Sequence, residues 1–266
     1  MEIRMWREVL DPYSLAIDEI KVKLNHVIKE YKDNGEYSPI ESVSGRLKKI
    51  SSILEKAKKK NVPLEEIEEK IEDIAGIRII CQFVEDIDTV AELISARRDM
   101  EVKSVKDYVR NKKASGYRSY HMIVYYNVET KGGTKRIPVE IQIRTMAMNF
   151  WATIEHSLQY KYAGNVPEPI RERLSNAARA VAMLDDEMSS IRHEILDAQT
   201  MFRTKATVAA DITNTIQMLY QAENRDAVEN IQNEFYDVYE NGTMEDLMSF
   251  AKRLDEIAAR YAAQRL

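Results

Sequence analysis

A basic segment near the middle of the chain, from Lys106 to Arg118, has the residue types that bind phosphate. Against one acid, Asp107, it carries Lys106, Arg110, Lys112, Lys113 and Arg118. The segment contains Ser115-Gly116-Tyr117, a flexible turn that presents an aromatic ring. Lysine and arginine donate charged hydrogen bonds to phosphate oxygens, and arginine or a flat base can stack on an aromatic ring. These residues together favour a site for a phosphorylated ligand that carries a base.

The strand that follows this segment carries polar residues of three different kinds on one face. From Ile137 to Arg144, aliphatic residues alternate with Glu140, Gln142 and Arg144. A period of two puts the aliphatic residues on one face and the carboxylate, the amide and the guanidinium on the other. Each of the three alone is typical of a solvated strand edge. In a row beside the basic segment, they indicate the floor of a nucleotide site.

Two features earlier in the chain fit the same chemistry. Lys48, Lys56 and Lys59 fall on one side of a predicted helix, where like charges repel each other unless an anion lies against them. A solvated, lysine-rich helix face is the alternative. Asp73 stands just before a predicted buried strand, where a carboxylate often binds Mg²⁺ in phosphoryl-transfer enzymes, with a capping role as the alternative.

Four motifs in a fixed order resemble the synthetase domain of the RelA/SpoT family, and the stand-alone small alarmone synthetases in particular. They are DIAGIRI (73–79), GYRSYH (116–121), VEIQIRT (139–145) and MNFWATIEHSLQYKY (148–162). The resemblance covers roughly residues 1–200, and motifs of this length are far more specific than a single glycine signature. It implies transfer of the β,γ-pyrophosphate of ATP to the 3′-hydroxyl of GTP or GDP, which gives (p)ppGpp and AMP.

The resemblance also implies which residues bind ATP and the metal. Asp73 and Glu140 match the carboxylates that hold Mg²⁺, and Glu140 also takes the proton of the 3′-hydroxyl. Arg46 and Arg78 match a pair whose planar guanidinium groups sandwich the adenine, a contact that lysine cannot make. Positively charged side chains meet the ATP phosphates at Lys48, Lys56 and Lys59.

On the acceptor side, the resemblance places Tyr117 against the guanine base. The other residues that it implies for binding GTP or GDP are Lys106, Lys113, His121, Gln142 and Asn149. Since the pyrophosphate passes directly to an intact nucleotide, no nucleophile from the protein is required.

Related small synthetases form a ring-shaped homotetramer that (p)ppGpp activates by binding in a central cleft. The residues that match this cleft are Lys21, Glu41, Ser44 and Asn149. The sequence departs from the pattern at Asn25 and Ser42, where a basic and an aromatic residue are expected. The resemblance therefore implies a homotetramer with (p)ppGpp as an effector, and the two departures bear on the strength of activation.

The elements that must position these residues follow from the hydrophobic pattern. The predicted helices cover residues 14–32, 44–60, 65–72, 86–98 and 146–162. The predicted strands cover residues 73–83, 101–108, 119–128 and 134–144. Ser38–Glu41 is predicted to form a capped turn, and Ser44 caps the second helix, which puts Arg46 on its first turn. This order predicts an α+β fold with a mixed or antiparallel sheet, and the resemblance specifies a nucleotidyltransferase-like mixed sheet with helical N- and C-terminal extensions.

The C-terminal part differs in character from the rest. After a predicted hinge at Gly164–Pro169, apolar residues recur at the 3-4 spacing of a helix–helix seam. They are Leu174, Ala177, Val181, Leu184, Met188, Ile191, Ile195 and Ala198. Residues 204–266 continue as helices with breaks near Asn224 and at Asn241-Gly242, and we assign them no chemistry. The predicted regions are an N-terminal helical segment (1–42), a catalytic domain (43–163) and a C-terminal helical region (164–266).

The amino-acid composition of the chain bears on nucleic-acid binding, disulfide bonds and membrane association. The chain has 266 residues, a formal net charge of −5 and one cysteine, Cys81. A negative net charge argues against nonspecific nucleic-acid binding. A single cysteine rules out an intrachain disulfide framework and favours a location in the cytoplasm. No apolar run approaches the ~20 residues of a membrane span, and we expect no signal peptide or membrane partner.

Three alternatives compete with synthesis of the alarmone alone. The four histidines are followed by Val27, Met122, Ser157 and Glu194, so the His-Asp motif of the family's hydrolases is missing and we expect synthesis only. A regulatory oligomer that binds single-stranded RNA could use the same basic segment, but it would not need Asp73 and Glu140. A different nucleotidyltransferase lacks support, because such enzymes generally carry paired aspartates on one strand.

Overall fold

The computed structural model describes residues 3–161, 166–220 and 225–263, and the chain divides into two compact units, Met1–Ser189 and Ser190–Leu266. The helices of the first unit are α1 (Ile3–Asp33), α2 (Ile50–Lys59), α3 (Ile67–Lys70), α4 (Glu85–Ser95) and α5 (Met146–Lys161). A short 3-10 turn, Leu64–Glu66, precedes α3. The strands are β1 (Ser42–Leu47), β2 (Ala75–Cys81), β3 (Met100–Asp107), β4 (Tyr120–Thr130) and β5 (Gly133–Thr145). Helix α6 (Glu168–Tyr220) begins in the first unit and ends in the second, which also holds α7 (Arg225–Asn241) and α8 (Met244–Ala263).

The five strands form one mixed sheet in the order β1-β2-β5-β4-β3. The β2–β5 pair is parallel, and the other three pairs are antiparallel. The predicted α+β fold with a mixed sheet is therefore confirmed. Directly opposed residues on paired strands share a face, and one row across all five strands is polar: Ser44, Arg78, Gln142, His121 and Lys106.

The opposite face of the sheet is the hydrophobic core. On this face, Ile77 and Ile79 of β2 and Ile141 and Ile143 of β5 are at most 1% exposed. Helix α1 packs on this side, and its Ile17 lies close to Gly45 on β1. A Cβ atom on Gly45 would lie 2.2 Å from Ile17 Cγ2, so α1 and β1 can approach this closely only because residue 45 is glycine.

The prediction of a helix from Ser44 to Lys60 is wrong in its first part. Residues 42–47 form strand β1, so Ser44 is not an N-cap and Arg46 is not on a helix turn, and α2 begins at Ile50. The strand is stabilised by contacts distant in sequence, because it pairs with β2 over its whole length and packs against α1. The Ser38–Glu41 turn exists, with Ser38 Oγ accepting the Ile40 N–H at 3.2 Å, but it leads into β1 and not into a helix.

Other predicted boundaries differ less. The first helix begins at Ile3, earlier than the predicted Ser14, and ends at Asp33 as the Asn34-Gly35 signal indicates. Gly35 has φ +69°, the left-handed conformation that glycine adopts most readily after a helix. Of the predicted hinge, residues 164 and 165 lie outside the described part of the chain, as do residues 221–224 with the predicted break near Asn224.

The second unit is built from α7, α8 and the C-terminal part of α6. Its core contains Ile212, Ile216, Leu219, Phe235, Leu247, Phe250 and Leu254. The break at Asn241-Gly242 is confirmed, and Thr243 caps α8: its Oγ1 accepts the Asp246 N–H at 3.2 Å, while Asp246 Oδ2 accepts the Thr243 N–H at 2.8 Å.

The apolar stripe predicted from Leu174 to Ala198 lies on α6, as the spacing indicates, but much of it faces solvent in the single chain. Leu184, Met188 and Ile195 are 51%, 40% and 52% exposed. The α6 side chains buried within the first unit are instead Ala178, Asp185 and Ser189. None of the described helices combines the length and the hydropathy that crossing a membrane would require.

Candidate functional site

A cleft lies over the polar face of the sheet, and two carboxylates are among the residues that line it. One compartment, of about 420 Å³, is lined by Ser44, Arg46, Lys48, Asp73, Arg78, Glu140, Gln142 and His156. An adjoining compartment of about 200 Å³ is lined by Lys56, Lys60, Asp73, Lys106, Tyr108, Lys113, His121 and Glu140. Asp73 and Glu140 line both compartments and therefore lie where the two adjoin.

The first set of contacts, the cation side, consists of Arg46, Lys48, Lys56, Asp73 and Arg78. Asp73 Oδ2 accepts hydrogen bonds from Lys48 Nζ and Lys56 Nζ, each at 2.6 Å. Burial acts to raise the pKa of Asp73, but the hydrogen bonds and charges of the two lysines outweigh it and lower that pKa. Asp73 Oδ1 is buried and has no hydrogen-bond partner within the described residues, so one oxygen is free for a ligand.

Arg46 and Arg78 of the cation side form no ion pair with an acidic residue in the described part of the chain. Burial and the nearby charges of Arg144 and Arg46 lower the pKa of Arg78. Arg78 Nε is also buried without a hydrogen-bond partner among the described residues. Cations that repel one another and have unused hydrogen-bond donors indicate a surface that can bind an anion or the face of a base.

The second set of contacts, the side-chain ring, consists of Tyr117, His121, Glu140, Gln142 and Arg144. Glu140 Oε1 lies 3.2 Å from His121 Nδ1, and Glu140 Oε2 accepts a hydrogen bond from Gln142 Nε2 at 2.7 Å. Arg144 Nη2 donates to Tyr117 Oη at 2.5 Å and to Gln142 Oε1 at 2.7 Å. A contact of 2.8 Å between Tyr117 Oη and His121 Nε2 closes the ring.

Glu140 is ionised in this ring. Burial acts to raise its pKa, and the hydrogen bonds from His121 and Gln142, with the charge of His121, outweigh burial and lower it. The charge of Asp73 acts in the opposite direction as a smaller effect. A carboxylate held in its charged form beside a cleft can bind a metal ion or accept a proton.

The turn that carries Tyr117 is held by its own backbone and by α6. Gly116 N donates to Lys113 O at 2.8 Å, and Lys113 N donates to Tyr117 O at 3.2 Å. A Cβ atom on Gly116 would lie 2.5 Å from Ala178 Cβ, and Gly116 has φ +88°. Lys113 Nζ lies 4.5 Å from the ring centroid of Tyr108 and 4.9 Å from that of Tyr117. The aromatic rings and the lysine therefore form one preassembled surface.

Most of the predicted site residues meet at this cleft. Lys106 and Lys113 line it beside His121, and a further compartment of about 640 Å³ joins Arg46 and Arg78 to Tyr117 and Gln142. Lys59 is exposed on α2, and its neighbour Lys60 lines the cleft instead.

The residues predicted for an effector cleft are less close together. Ser44 lines the main compartment, and Glu41 Oε2 accepts a hydrogen bond from Gln82 Nε2 at 2.8 Å. Lys21 packs its stem beside Gly45. Asn149, half-buried on α5, has an Oδ1 atom without a hydrogen-bond partner among the described residues. In a single chain they do not form one pocket among the compartments described above.

Sequence reasoning missed several residues that line the cleft. They are Lys60, Tyr108, Glu155 and His156. Strand alternation already places Arg144 on the face of Glu140 and Gln142, as part of the predicted nucleotide site. Nothing in the sequence indicates that its guanidinium reaches Tyr117.

Pyrophosphate chemistry on nucleotides usually needs a divalent metal, and the site can be tested for one. Among the described residues, no cluster of three or more His, Cys, Asp or Glu side chains could enclose a metal. Mg²⁺, however, is commonly held by only one or two carboxylates together with substrate phosphates. Asp73, with one buried oxygen lacking a partner, and the ionised Glu140 fit that smaller requirement.

Comparison with known proteins identifies relatives of this arrangement. The model of a region found in RelA/SpoT proteins matches residues 45–165. The GTP pyrophosphokinase YjbM of Bacillus subtilis is 52% identical over 205 residues, which are 77% of this chain and 97% of the relative.

Solved structures of a small alarmone synthetase are also similar to this chain. The B. subtilis small alarmone synthetase 1 bound to its product pppGpp is 53% identical, with a TM-score of 0.70, covering 72% of this chain and 98% of that one. The same enzyme bound to AMPCPP is 49% identical, with a TM-score of 0.65, covering 73% and 99%. About a quarter of this chain therefore lies outside the region shared with these proteins.

Proposed function

The chain belongs to the RelA/SpoT family, and from this premise we propose the reaction of the cleft. The protein is a GTP pyrophosphokinase: it transfers the β,γ-pyrophosphate of ATP to the 3′-hydroxyl of GTP or GDP, making the alarmone (p)ppGpp and releasing AMP. The observation that carries this conclusion is the position of Asp73 and Glu140 between the cation-lined compartment and the compartment with aromatic rings and lysines. We propose synthesis without hydrolysis, in the cytoplasm.

The reaction needs positioning and charge neutralisation more than covalent chemistry. A bond forms between the acceptor 3′-oxygen and the β-phosphorus of ATP, and the bond between that phosphorus and the oxygen bridging it to the α-phosphorus breaks. The electron pair leaves with AMP, and the proton of the 3′-hydroxyl must be removed. A cleft with cations on one side and an ionised carboxylate at its centre supplies both requirements.

ATP would occupy the cation side. We assign the adenine to the guanidinium groups of Arg46 and Arg78, which line the same compartment. Lys48 and Lys56 would move from Asp73 to the phosphates, which carry more charge than one carboxylate. Lys59 would add an outer contact from the exposed side of α2.

Asp73 and Glu140 would hold Mg²⁺ with the ATP phosphates. When bound, the ion neutralises charge that develops on the transferred group and the leaving oxygen. Transfer of Lys48 and Lys56 to the phosphates would leave both oxygens of Asp73 available. Glu140 would also accept the 3′-hydroxyl proton, since its lowered pKa keeps it ionised and ready.

The guanine nucleotide would occupy the other side. The Tyr117 ring would stack on the base, and Lys106 and Lys113 would meet the 5′-phosphates. His121 and Gln142 lie beside the carboxylate and would contact the ribose. Asn149 would complete this side with its unpartnered amide oxygen.

We also propose a homotetramer regulated by (p)ppGpp. Exposed apolar residues on α1 and α6, such as Val22 at 70% and Leu184 at 51%, support subunit contacts through these helices. A ring would bring Lys21, Glu41, Ser44 and Asn149 from several subunits around one effector cleft. Asn25 and Ser42 would weaken that cleft relative to the family pattern.

Light scattering after size exclusion tests the assembly. We expect a mass well above the 30.8 kDa of one chain, and we expect Leu184→Glu to shift it toward the monomer, because the charge would be buried in the seam. A wild-type mass near 30.8 kDa across micromolar concentrations would exclude both the tetramer and the shared effector cleft.

The reaction itself is tested by incubating the protein with ATP, Mg²⁺ and GMP, GDP or GTP in turn. We expect AMP and a 3′-pyrophosphorylated guanine nucleotide in equal amounts, resolved by anion exchange. Absence of AMP with every acceptor would reject the proposal. The same assay with single-stranded RNA added addresses the alternative of an RNA-binding regulator, which no contact in the cleft favours.

A further inference from the structure

We propose that Arg144 is a positioning residue for the acceptor nucleotide, acting through Tyr117 on the base and through the side-chain ring on Glu140. This inference rests on the proposed function. Arg144 lines the compartment that contains Tyr117 but is only 5% exposed, and its guanidinium is engaged by three neighbouring side chains, so we expect its influence to pass through the groups to which it donates hydrogen bonds.

Two hydrogen-bonded paths connect Arg144 to Glu140. The longer path runs from Arg144 Nη2 to Tyr117 Oη at 2.5 Å, on to His121 Nε2 at 2.8 Å, and from His121 Nδ1 to Glu140 Oε1 at 3.2 Å. The shorter path runs from Arg144 Nη2 to Gln142 Oε1 and from Gln142 Nε2 to Glu140 Oε2, each step 2.7 Å. Both oxygens of the carboxylate are therefore held by paths that begin at one guanidinium.

The chemistry of the two end groups sets the direction of the bonds that each of them makes. A guanidinium can only donate and an ionised carboxylate can only accept. The Tyr117 hydroxyl therefore accepts from Arg144, and His121 carries a hydrogen on Nδ1, facing Glu140. The Gln142 amide has one orientation, with its oxygen toward Arg144 and its nitrogen toward Glu140. Without Arg144, the tyrosine hydroxyl could rotate and the Gln142 amide oxygen would lose its donor.

Stability alone does not explain a charge at this position. The hydrogen-bond partners of Arg144 are neutral: Tyr117, Gln142 and Ser119, whose Oγ accepts from Arg144 Nε at 3.2 Å. Burying a charge without an opposite charge costs free energy, and an apolar residue of similar volume would cost less. What the guanidinium adds is a rigid fork that holds three side chains at once, and lysine cannot reproduce that geometry.

The position of Tyr117 is set by the same group. The Arg144 guanidinium carbon lies 5.2 Å from the Tyr117 ring centroid, while its Nη2 donates to the ring's hydroxyl. Contact on the face and at the hydroxyl leaves the ring little freedom to tilt. An acceptor base that stacks on Tyr117 would therefore meet a ring that is already oriented, whereas ATP on the cation side would not depend on it.

The test compares Arg144→Met, Arg144→Lys, Tyr117→Phe and the Arg144→Met/Tyr117→Phe double variant, measuring kcat and KM separately for GDP and for ATP. For Arg144→Met we expect KM for GDP to rise roughly tenfold and kcat to fall roughly tenfold, with KM for ATP changed less than about threefold. Arg144→Lys should lose nearly as much, because it keeps the charge and loses the fork. In the Tyr117→Phe background, Arg144→Met should cost clearly less than in the wild type.

Arg136→Met is the matched control. Arg136 is on the same strand and also lies over a tyrosine, 3.9 Å from the Tyr125 ring centroid, but it pairs with Glu101 outside the cleft. We expect its kinetic constants to be unchanged. Thermal unfolding of each variant identifies any that fail to fold. If Arg144→Met fails, the kinetic constants of the less disruptive variants Tyr117→Phe and Arg144→Lys are compared with those of the wild type.

Three results would overturn the inference. One is an equal rise in KM for ATP and GDP, another is full additivity of Arg144→Met and Tyr117→Phe, and the third is loss of thermal stability with unchanged kinetics. Calorimetry with GDP alone separates this inference from the proposed function. A wild type that binds GDP but makes no product rejects only the function, and the same variants are then ranked by their affinity for GDP.

Discussion

The two sides of the cleft hold their carboxylates in different ways. On the cation side, Asp73 is bound by the ends of two lysines, Lys48 and Lys56, through one oxygen. In the side-chain ring, Glu140 is bound through both oxygens by His121 and Gln142, which have further partners of their own. The first arrangement relies on charge and flexible side chains, and the second on a closed set of directional hydrogen bonds.

This difference indicates that the acceptor side of the cleft is preorganised to a greater degree than the cation side. On the proposed assignment, Lys48 and Lys56 would turn from Asp73 to the ATP phosphates, so the cation side would rearrange. The acceptor would meet a tyrosine, a histidine and a carboxylate that already constrain one another, which would lower the entropy lost on binding. Disrupting the ring should therefore affect catalysis and acceptor binding, whereas weakening the cation side should affect ATP binding and its dependence on salt.

Glu140→Gln should have the largest effect, because it removes the negative charge of the carboxylate that His121 and Gln142 hold. We expect kcat to fall at least ~10²-fold, through loss of a metal ligand and of the base, with the fold retained. Turnover of the purified variant is the measurement, with circular dichroism and thermal unfolding as the control for folding. Near-normal turnover would show that β5 does not carry the catalytic carboxylate.

Tyr117→Ala sharpens the comparison by removing the acceptor's stacking surface. Stacking of a base on an aromatic ring contributes roughly 1–3 kcal/mol, so the GDP concentration needed for half-maximal rate should rise roughly 5- to 150-fold. The ATP requirement should change little, because Tyr117 belongs to the ring and not to the cation side. If both requirements rose together, Tyr117 would have a structural role in the cleft as a whole.

Gly45→Ala tests the cation side through its scaffold. An added Cβ would lie 2.2 Å from Ile17 Cγ2 and 2.9 Å from Lys21 Cδ, so α1 and β1 would have to separate. Overpacking of this kind costs about 1–3 kcal/mol of unfolding free energy. We expect a lower Tm and a higher KM for ATP, since Arg46 is on the displaced strand. Gly132→Ala, whose Cβ would have no neighbour nearer than 3.7 Å, is the control with little expected change in Tm.

The comparison also shows what sequence can predict. Strands β2 to β5 and the face of Glu140 and Gln142 follow from apolar alternation within each segment. Strand β1 could not be predicted in this way, because Ser42–Leu47 has only two aliphatic residues, with Gly45 between them, and its extended form depends on pairing with β2 and packing against α1. The contact between Arg144 and Tyr117 could not be predicted for a related reason: the two residues are 27 positions apart, and periodicity gives faces but not distances.

The spacing of apolar residues from Leu174 to Ala198 predicts a helix, but it does not predict which residues cover the apolar face of that helix. The stripe with Leu184 and Met188 is exposed, while Asp185 between them is buried and lies 3.5 Å from Arg118 Nη1. A contact between charged residues 67 positions apart holds the helix against the first unit. Only the structure reveals that the polar side of this segment of α6 faces inward.

Lys48→Met should have the smallest effect on the reaction and is the most direct test of the cation side. It removes one contact to the ATP phosphates, worth about tenfold in affinity for a charged hydrogen bond, but it also frees Asp73 from one of its lysines, which offsets part of the loss. We therefore expect KM for ATP to rise roughly 3- to 10-fold, with KM for GDP unchanged. Raising the ionic strength should increase KM for ATP less in the variant than in the wild type, because fewer exposed charges remain to be screened. KM for GDP, measured at the same salt concentrations, is the internal control. If instead Lys48→Met raised KM for GDP as strongly as KM for ATP, the two sides of the cleft would not be separate sites.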